Sequence, residues 1–244
     1  MPTDRDNIYR EALDEVRVFE FDQRVVRVFP DMIRRSVPGY ELVLELLGLA
    51  AHQFSQPHSN IYDLGCSLGA ATLAMRRHVA HTDCRIIAVD NSPAMVQRCR
   101  EQIARDNSIV AVDVVTADVL DIDISNASLV VLNFTLQFIA PEQRMELLQK
   151  IHAGMLPGGV LLIAEKLSFV DEQTQKLLEQ WHQGFKRSQG YSDLEIAQKR
   201  QALENVMQPD TLETHQRRLQ QAGFAHVCQW FQALNFAAVL ARKK

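Results

Sequence analysis

Asn60-Ile61-Tyr62-Asp63-Leu64-Gly65-Cys66-Ser67-Leu68-Gly69-Ala70 is an apolar strand running into Asp-x-Gly-x-x-x-Gly at the start of a helix. Glycine has no Cβ, so Gly65 and Gly69 let the chain turn sharply from strand to helix and let backbone approach a ligand there. A dinucleotide fingerprint requires G-x-G-x-x-G to carry a pyrophosphate. Here the spacing is G-x-x-x-G, with Ser67 where a central glycine would stand. That spacing speaks against a dinucleotide.

The same pattern continues outward. The run Arg85 to Val89 ends in Asp90-Asn91-Ser92-Pro93, and an acid at a second strand tip accepts hydrogen bonds from both hydroxyls of a ribose, which indicates an adenosine without a 2′-phosphate. Ser92 as cap and Pro93 in the first turn predict a helix to about Asp106. A third run, Val112 to Thr116, ends at Ala117-Asp118, and a fourth, Ser128 to Leu132, ends at Asn133. In an open parallel sheet the carboxyl ends of the strands share one crevice. Gly65, Cys66 and Ser67 would take an amino-acid moiety, Asp90 the ribose, Asp118 with the Val119 backbone the adenine edge, and Asn133 the floor beside a sulfonium. These tips together read as an S-adenosylmethionine site.

Strand-like runs alternate with helical stretches, the pattern of an α/β fold. Leu156-Pro157-Gly158-Gly159 reads as a turn that ends a helix and feeds a fifth strand, Val160 to Ala164. Ala225 to Trp230 and Phe236 to Arg242 lie close enough to form an antiparallel pair at one edge. The prediction is a doubly wound, seven-stranded, mostly parallel sheet with an antiparallel last strand, an N-terminal helical segment and a helical insert. Residues 1–244 then form one domain: a helical cover over 21–56, a cofactor core over 60–166, an insert over 171–207, and a helix with an edge hairpin over 208–244.

With 244 residues and 47% hydrophobic content, the chain can bury one substantial core. A net charge of −4 and pI near 6.1 supply no basic field for direct binding of nucleic acid. No apolar run approaches the roughly 20 residues of a membrane span, and Met1 to Arg10 is polar, so a cytoplasmic protein without membrane attachment is expected. Cys66, Cys84, Cys99 and Cys228 form no C-x-x-C pair, and the eight histidines form no H-E-x-x-H motif, so no metal site is expected.

Two segments exceed the common scheme. Phe21 to Tyr40 carries Phe29-Pro30-Asp31-Met32 and a Pro38-Gly39-Tyr40 turn before an amphipathic helix, Glu41 to Phe54, and is placed to fold over the site's mouth. Asp171 to Met207 is polar and helical, with Trp181, Lys186, Arg187, Tyr191, Lys199 and Arg200, and suits either a lid or an oligomer contact. Trp181 and Phe185, at i and i+4, read as a packing pair.

Phe29-Pro30-Asp31-Met32, Ser36-Val37-Pro38-Gly39-Tyr40, the Asp63 to Thr72 loop, Asp90 to Met95 and Asn133-Phe134-Thr135-Leu136-Gln137-Phe138 resemble the bacterial carboxy-S-adenosyl-L-methionine synthases. The likeness continues through Phe185-Lys186-Arg187, Gly190-Tyr191-Ser192, Gln198-Lys199-Arg200 and Leu203 to Met207, and omits mainly the first twenty residues. It implies a homodimer with the methyltransferase fold that converts S-adenosyl-L-methionine and prephenate into carboxy-S-adenosyl-L-methionine, phenylpyruvate and water. A downstream tRNA carboxymethyltransferase would use that product on a wobble uridine.

By the same resemblance, the cofactor residues are Tyr40, Gly65, Cys66, Ser67, Asp90, Asn91, Asp118, Val119, Asn133 and Arg200. Arg200 would hold carbon dioxide or the new carboxylate through its guanidinium fork; if that carboxylate is buried, loss of the arginine costs on the order of 3–5 kcal/mol. The implied chemistry uses the hydroxyl leaving prephenate as the base. Glu165 and His182 are bases by type only, and Arg34, Arg35, Lys166 and Arg187 are unranked candidates for the carboxylates of prephenate. The competing reading is a small-molecule methyltransferase. Asn133-Phe134-Thr135, in place of Asn-Pro-Pro-Tyr, argues against an enzyme that methylates nucleic-acid amino groups.

Overall fold

The structure, a computed structural model, describes residues 4–244. Its centre is a seven-stranded sheet ordered β3-β2-β1-β4-β5-β7-β6. The strands are β1 (Asn60–Leu64), β2 (Arg85–Asp90), β3 (Ala111–Thr116), β4 (Ala127–Asn133), β5 (Met155–Lys166), β6 (His226–Ala233) and β7 (Phe236–Arg242). The first five are parallel, while β7 runs antiparallel to both β5 and β6. Strand order reverses between β1 and β4, which sets the crevice at their carboxyl ends.

The strands alternate sides because successive side chains point to opposite faces. Ile61, Leu129, Val131, Val160 and Leu162 pack on α2 (Tyr40–Phe54) and α3 (Ala70–Arg76) through Val43, Leu47, Ala51 and Met75. Tyr62, Leu64, Val130, Leu132, Leu161 and Ile163 pack on α5 (Arg144–Gly154) and α8 (Leu212–Gln221) through Leu147, Leu148, Ile151 and Leu219. With both faces covered, β1, β4 and β5 are buried almost throughout. α4 (Pro93–Arg105) starts where its cap indicates: Ser92 Oγ accepts from the Met95 N–H at 3.3 Å, and Pro93 occupies the first turn.

Several boundaries differ from expectation. β5 starts at Met155, before the Pro157-Gly158-Gly159 turn, because Ala127 pairs with Met155 and the ladder resumes at Leu129 with Val160. β6 runs to Ala233, and a register shift between Gln229 and Phe231 leaves Trp230 as the extra residue. Within the helical cover expected over 21–56, α1 (Gln23–Ser36) passes through Pro30, forgoing the hydrogen bond that residue 30 would donate to the Val26 carbonyl. Asp22 caps it, accepting from the Arg24 and Val25 N–H groups.

The 21–56 segment therefore divides in function. α1 sits over the crevice, whereas α2 belongs to the core and reaches the crevice through Tyr40, Glu41 and Leu44 at its start. The insert forms α6 (Glu172–Ser188) and α7 (Asp193–Leu203). Trp181, expected to pack with Phe185, is 64% exposed on α6.

Candidate active site

One cavity of about 1050 Å³ lies over the carboxyl ends of β1, β2, β4 and β5, under α1, α6 and α7. The residues expected from the strand tips meet there: Gly65, Cys66 and Ser67 after β1, Asp90 and Asn91 after β2, Asp118 and Val119 after β3, and Asn133 at the end of β4. Tyr40 and Arg200 line the same cavity from α2 and α7.

The two glycines act differently. Gly65 and Gly69 both have φ of +84°, a region that costs L-residues about 1–2 kcal/mol. A side chain at 65 would strike Thr135, and one at 69 would come within 2.7 Å of Cys99 Sγ on α4. Gly65 lines the cavity and Gly69 does not, so the second glycine serves the turn and helix packing, not approach to a ligand. Ser67 and Phe134 also hold positive φ, +49° and +61°, beside the cavity.

Asp90 fixes the first loop. Its Oδ2 accepts from the Ser67 N–H at 2.9 Å and its Oδ1 from the Ser92 N–H at 2.9 Å. Burial pushes its pKa up, and those two donors oppose the shift. Asp63, wholly buried, accepts from Thr72 Oγ1 at 2.5 Å, while its Oδ1 has no partner among the described residues. Burial raises its pKa to about 6. Asn133 Oδ1 is likewise buried and unpartnered. A cationic ligand rich in N–H and O–H donors supplies what these orphaned acceptors lack, and S-adenosylmethionine, with its ammonium, sulfonium and ribose, fits them.

The mouth is aromatic. Phe21 meets Phe19, Phe29 and Phe138 edge to face, with centroids 5.1, 5.9 and 5.6 Å away. Ser92 Oγ donates to the Phe21 carbonyl at 2.7 Å and ties this cluster to the β2 tip. The far wall comes from the insert, which docks on the N-terminal segment. His182 Nε2 donates to the Ser36 carbonyl at 2.7 Å, Lys199 Nζ to Ser36 Oγ at 3.0 Å, and the Tyr191 hydroxyl to Asp6 Oδ2 at 2.5 Å. The Arg35 guanidinium stacks 3.8 Å over the Tyr191 ring. Asp6 and Tyr191 brace this wall without lining the cavity, and no local pattern couples positions so distant in sequence.

The structure separates the residues that charge alone left unranked. Arg35 is spent on Asp31, Asp6 O and Gln189 O, and Arg187 pairs with Asp193 and does not line the cavity. Arg34 lines it but pairs with Glu41 at 3.0 Å. Lys166 lines it with no anionic partner among the described residues. Glu165 is no base for the cavity: its two oxygens accept from the Leu136 and Gln137 N–H groups at 2.8 and 3.0 Å, bracing the turn Leu136–Phe138. His182 lines the cavity, but burial and the Lys186 charge depress its pKa to about 3, so it is a weak base. Arg200 is 67% exposed on its side chain and stands 3.6 Å from Glu179, so the energetic weight expected of a buried ion pair is reduced.

Sheet order, helices on both faces and a cavity at the strand reversal define an S-adenosylmethionine-type methyltransferase fold. Residues 61–159 match the methyltransferase domain family. A putative O-methyltransferase from Nostoc punctiforme superposes with a TM-score of 0.64 at 14% identity, over 91% of this chain and 59% of that one. Human N-acetylserotonin methyltransferase gives 0.62 at 20% identity, over 91% and 55%. These structures share the fold and extend well beyond this chain.

The particular family is set by sequence. The carboxy-S-adenosyl-L-methionine synthase of Stutzerimonas stutzeri is 54% identical over 99% of both chains, and that of Vibrio campbellii is 55% identical over 98% of this chain and 97% of its own. The chain belongs to the carboxy-S-adenosyl-L-methionine synthase family.

Proposed function

We propose that this chain forms carboxy-S-adenosyl-L-methionine from S-adenosyl-L-methionine and prephenate, releasing phenylpyruvate and water. The observation that carries the reading is the full-length likeness to synthases of that name, at 54–56% identity. The cavity supports it through its division of charge. Asp63, Asp90 and Asp118 line the β1–β3 side, whereas Lys166, Lys186, Lys199 and Arg200 outnumber Glu179 and Glu204 on the β5 and insert side. A cationic cofactor suits the first side and an anionic co-substrate the second.

The cofactor's sulfonium acidifies its methyl group, so that the methyl carbon can accept the carbon dioxide lost from prephenate. The methyl proton and the departing hydroxide of prephenate leave as water, which balances the reaction without a protein base. The chain's own residues orient and enclose. Gly65, Cys66 and Ser67 would hold the amino-acid end, Asp90 and Asn91 the ribose, Asp118 and the Val119 backbone the adenine, and Asn133 the region of the sulfonium. Tyr40, buried so that its hydroxyl stays protonated, would close the site from α2. Arg200 would bind the new carboxylate, and the Phe21 cluster and α6 would keep water out.

The resemblance also supports a homodimer, a cytoplasmic setting, and use of the product by a tRNA carboxymethyltransferase on the wobble uridine. No described helix is long and apolar enough to cross a membrane. Leu177 and Trp181, exposed at i and i+4 on α6, offer an apolar strip suited to a subunit contact.

The test is turnover. With S-adenosylmethionine and prephenate, mass analysis is expected to show the cofactor gaining one carboxyl group as phenylpyruvate accumulates. Formation of S-adenosylhomocysteine instead would favour a small-molecule methyltransferase and overturn the proposal.

A further inference from the structure

Buried cations in this protein are almost all matched. Arg144 is held by Asp210 at 2.5 Å and by the Ile139 and Gln208 carbonyls, each at 2.8 Å; Arg76 by the Val110 and Ile103 carbonyls at 2.8 and 3.0 Å. Lys199 bonds to Ser36 Oγ and stands 3.7 Å from Asp6. Lys166 and Lys186 break this pattern. Both are half-buried and line the cavity, and among the described residues neither ammonium has a hydrogen-bond acceptor or a carboxylate within 4.0 Å.

An unpaired ammonium withdrawn from water is costly, and like charges nearby raise the cost. Lys186 faces Lys199 and Arg200 of α7 and Lys166 of β5, with His182 on its own helix; burial first, and then these charges, bring its pKa down to about 7. Lys166 is lowered by burial and by Arg200, with Glu179 opposing. Secondary structure fixes both positions. Lys166 ends β5, where its N–H donates to Gln137 Oε1 at 3.0 Å, and Lys186 stands one turn after His182, which is anchored to Ser36.

We infer that Lys166 and Lys186 form the anchoring site for the carboxylate that the second substrate keeps, the one released in phenylpyruvate. This rests on the reading above, in which that substrate is a dianion. It assigns the two lysines to the co-substrate and leaves Arg200 to the carboxyl group gained by the cofactor. A carboxylate brought beside Lys186 favours its charged form, so binding near pH 8 draws a proton from solution.

The test compares wild type with Lys166→Met, Lys186→Met and the double variant, with Lys186→Arg as the conservative control. KM for prephenate is expected to rise roughly tenfold to a hundredfold in each single methionine variant, with cofactor affinity within about twofold and melting temperature unchanged or higher. Lys186→Arg should recover most of the loss. Calorimetry of prephenate binding at pH 8 in buffers of different ionisation enthalpy should show proton uptake in wild type and none in Lys186→Met. Unchanged KM in both methionine variants, or a parallel loss of cofactor affinity, would overturn the inference. If wild type turns over no prephenate, the proposed reaction fails, and the lysine site is decided separately by titrating phenylpyruvate into the cofactor-loaded protein. Binding lost in the double variant would retain the site; binding equal in both, or absent from wild type, would remove it.

Discussion

Thr135 occupies the space that a side chain on residue 65 would need, while its Oγ1 donates to the Leu64 carbonyl at 2.8 Å. The β4 tip is thereby locked to the β1 tip across the point where strand order reverses. Gly65→Ala should lose cofactor binding and destabilise the fold by more than the ~1–2 kcal/mol that its positive φ alone implies. Adding Thr135→Gly removes the collision but not the backbone cost, so thermal melting should show partial recovery. Full tolerance of Gly65→Ala would show that the loop moves.

Asp63 makes apo stability depend on pH. Its folded pKa of about 6 lies above its ordinary 3.8, so its contribution is fully present below about pH 3.8 and is lost as pH rises through about 6. Asp63→Asn removes that slope. Between pH 4 and pH 8 the variant should gain stability relative to wild type on the order of 1–3 kcal/mol in denaturant titrations, while its affinity for S-adenosylmethionine falls. Wild-type affinity for that cation should weaken below about pH 6, where the acid takes up a proton.

His182 and His215 act in the opposite direction. Burial depresses them to about 3 and about 4, so stability is complete above the ordinary value of 6.5 and is lost as pH falls towards those values. Each histidine should remove at most about 1.4 kcal/mol per pH unit in that window. His182→Gln, which keeps a donor for the Ser36 carbonyl, should lose less on going from pH 7 to pH 5. An identical loss in both proteins would mean that His182 is already solvated.

Arg200→Ala should reduce the preference for the carboxylated over the plain cofactor about tenfold, or ~1–2 kcal/mol, since its guanidinium is largely exposed and screened. Direct binding of the two cofactors checks this. An undiminished preference would assign the carboxylate to another group.

Features written into short stretches of chain were legible. The Asp63 to Gly69 loop and the Asp90, Asp118 and Asn133 tips follow apolar runs, and a parallel sheet brings such tips together whatever lies between them. A helical cover over 21–56 was legible, but not that one helix would run unbroken through Pro30, where tertiary contacts of Val25, Val26, Val28 and Met32 outweigh one missing hydrogen bond. Nor were Thr135 against Gly65, or Asp6 against Tyr191, which depend on how separate elements dock. Lys166 and Lys186 were indistinguishable by type from Arg35 and Lys199. What sets them apart is the absence of a partner among the described residues, a property of three-dimensional packing alone.

The most direct measurement follows the methyl group itself. The chain is incubated with prephenate and S-adenosylmethionine carrying a ¹³C, fully deuterated S-methyl, and the nucleosides are weighed. The expected product keeps the ¹³C, loses one deuterium and gains a carboxyl group, with no S-adenosylhomocysteine. Label leaving as an intact methyl group, with S-adenosylhomocysteine behind, would contradict the account.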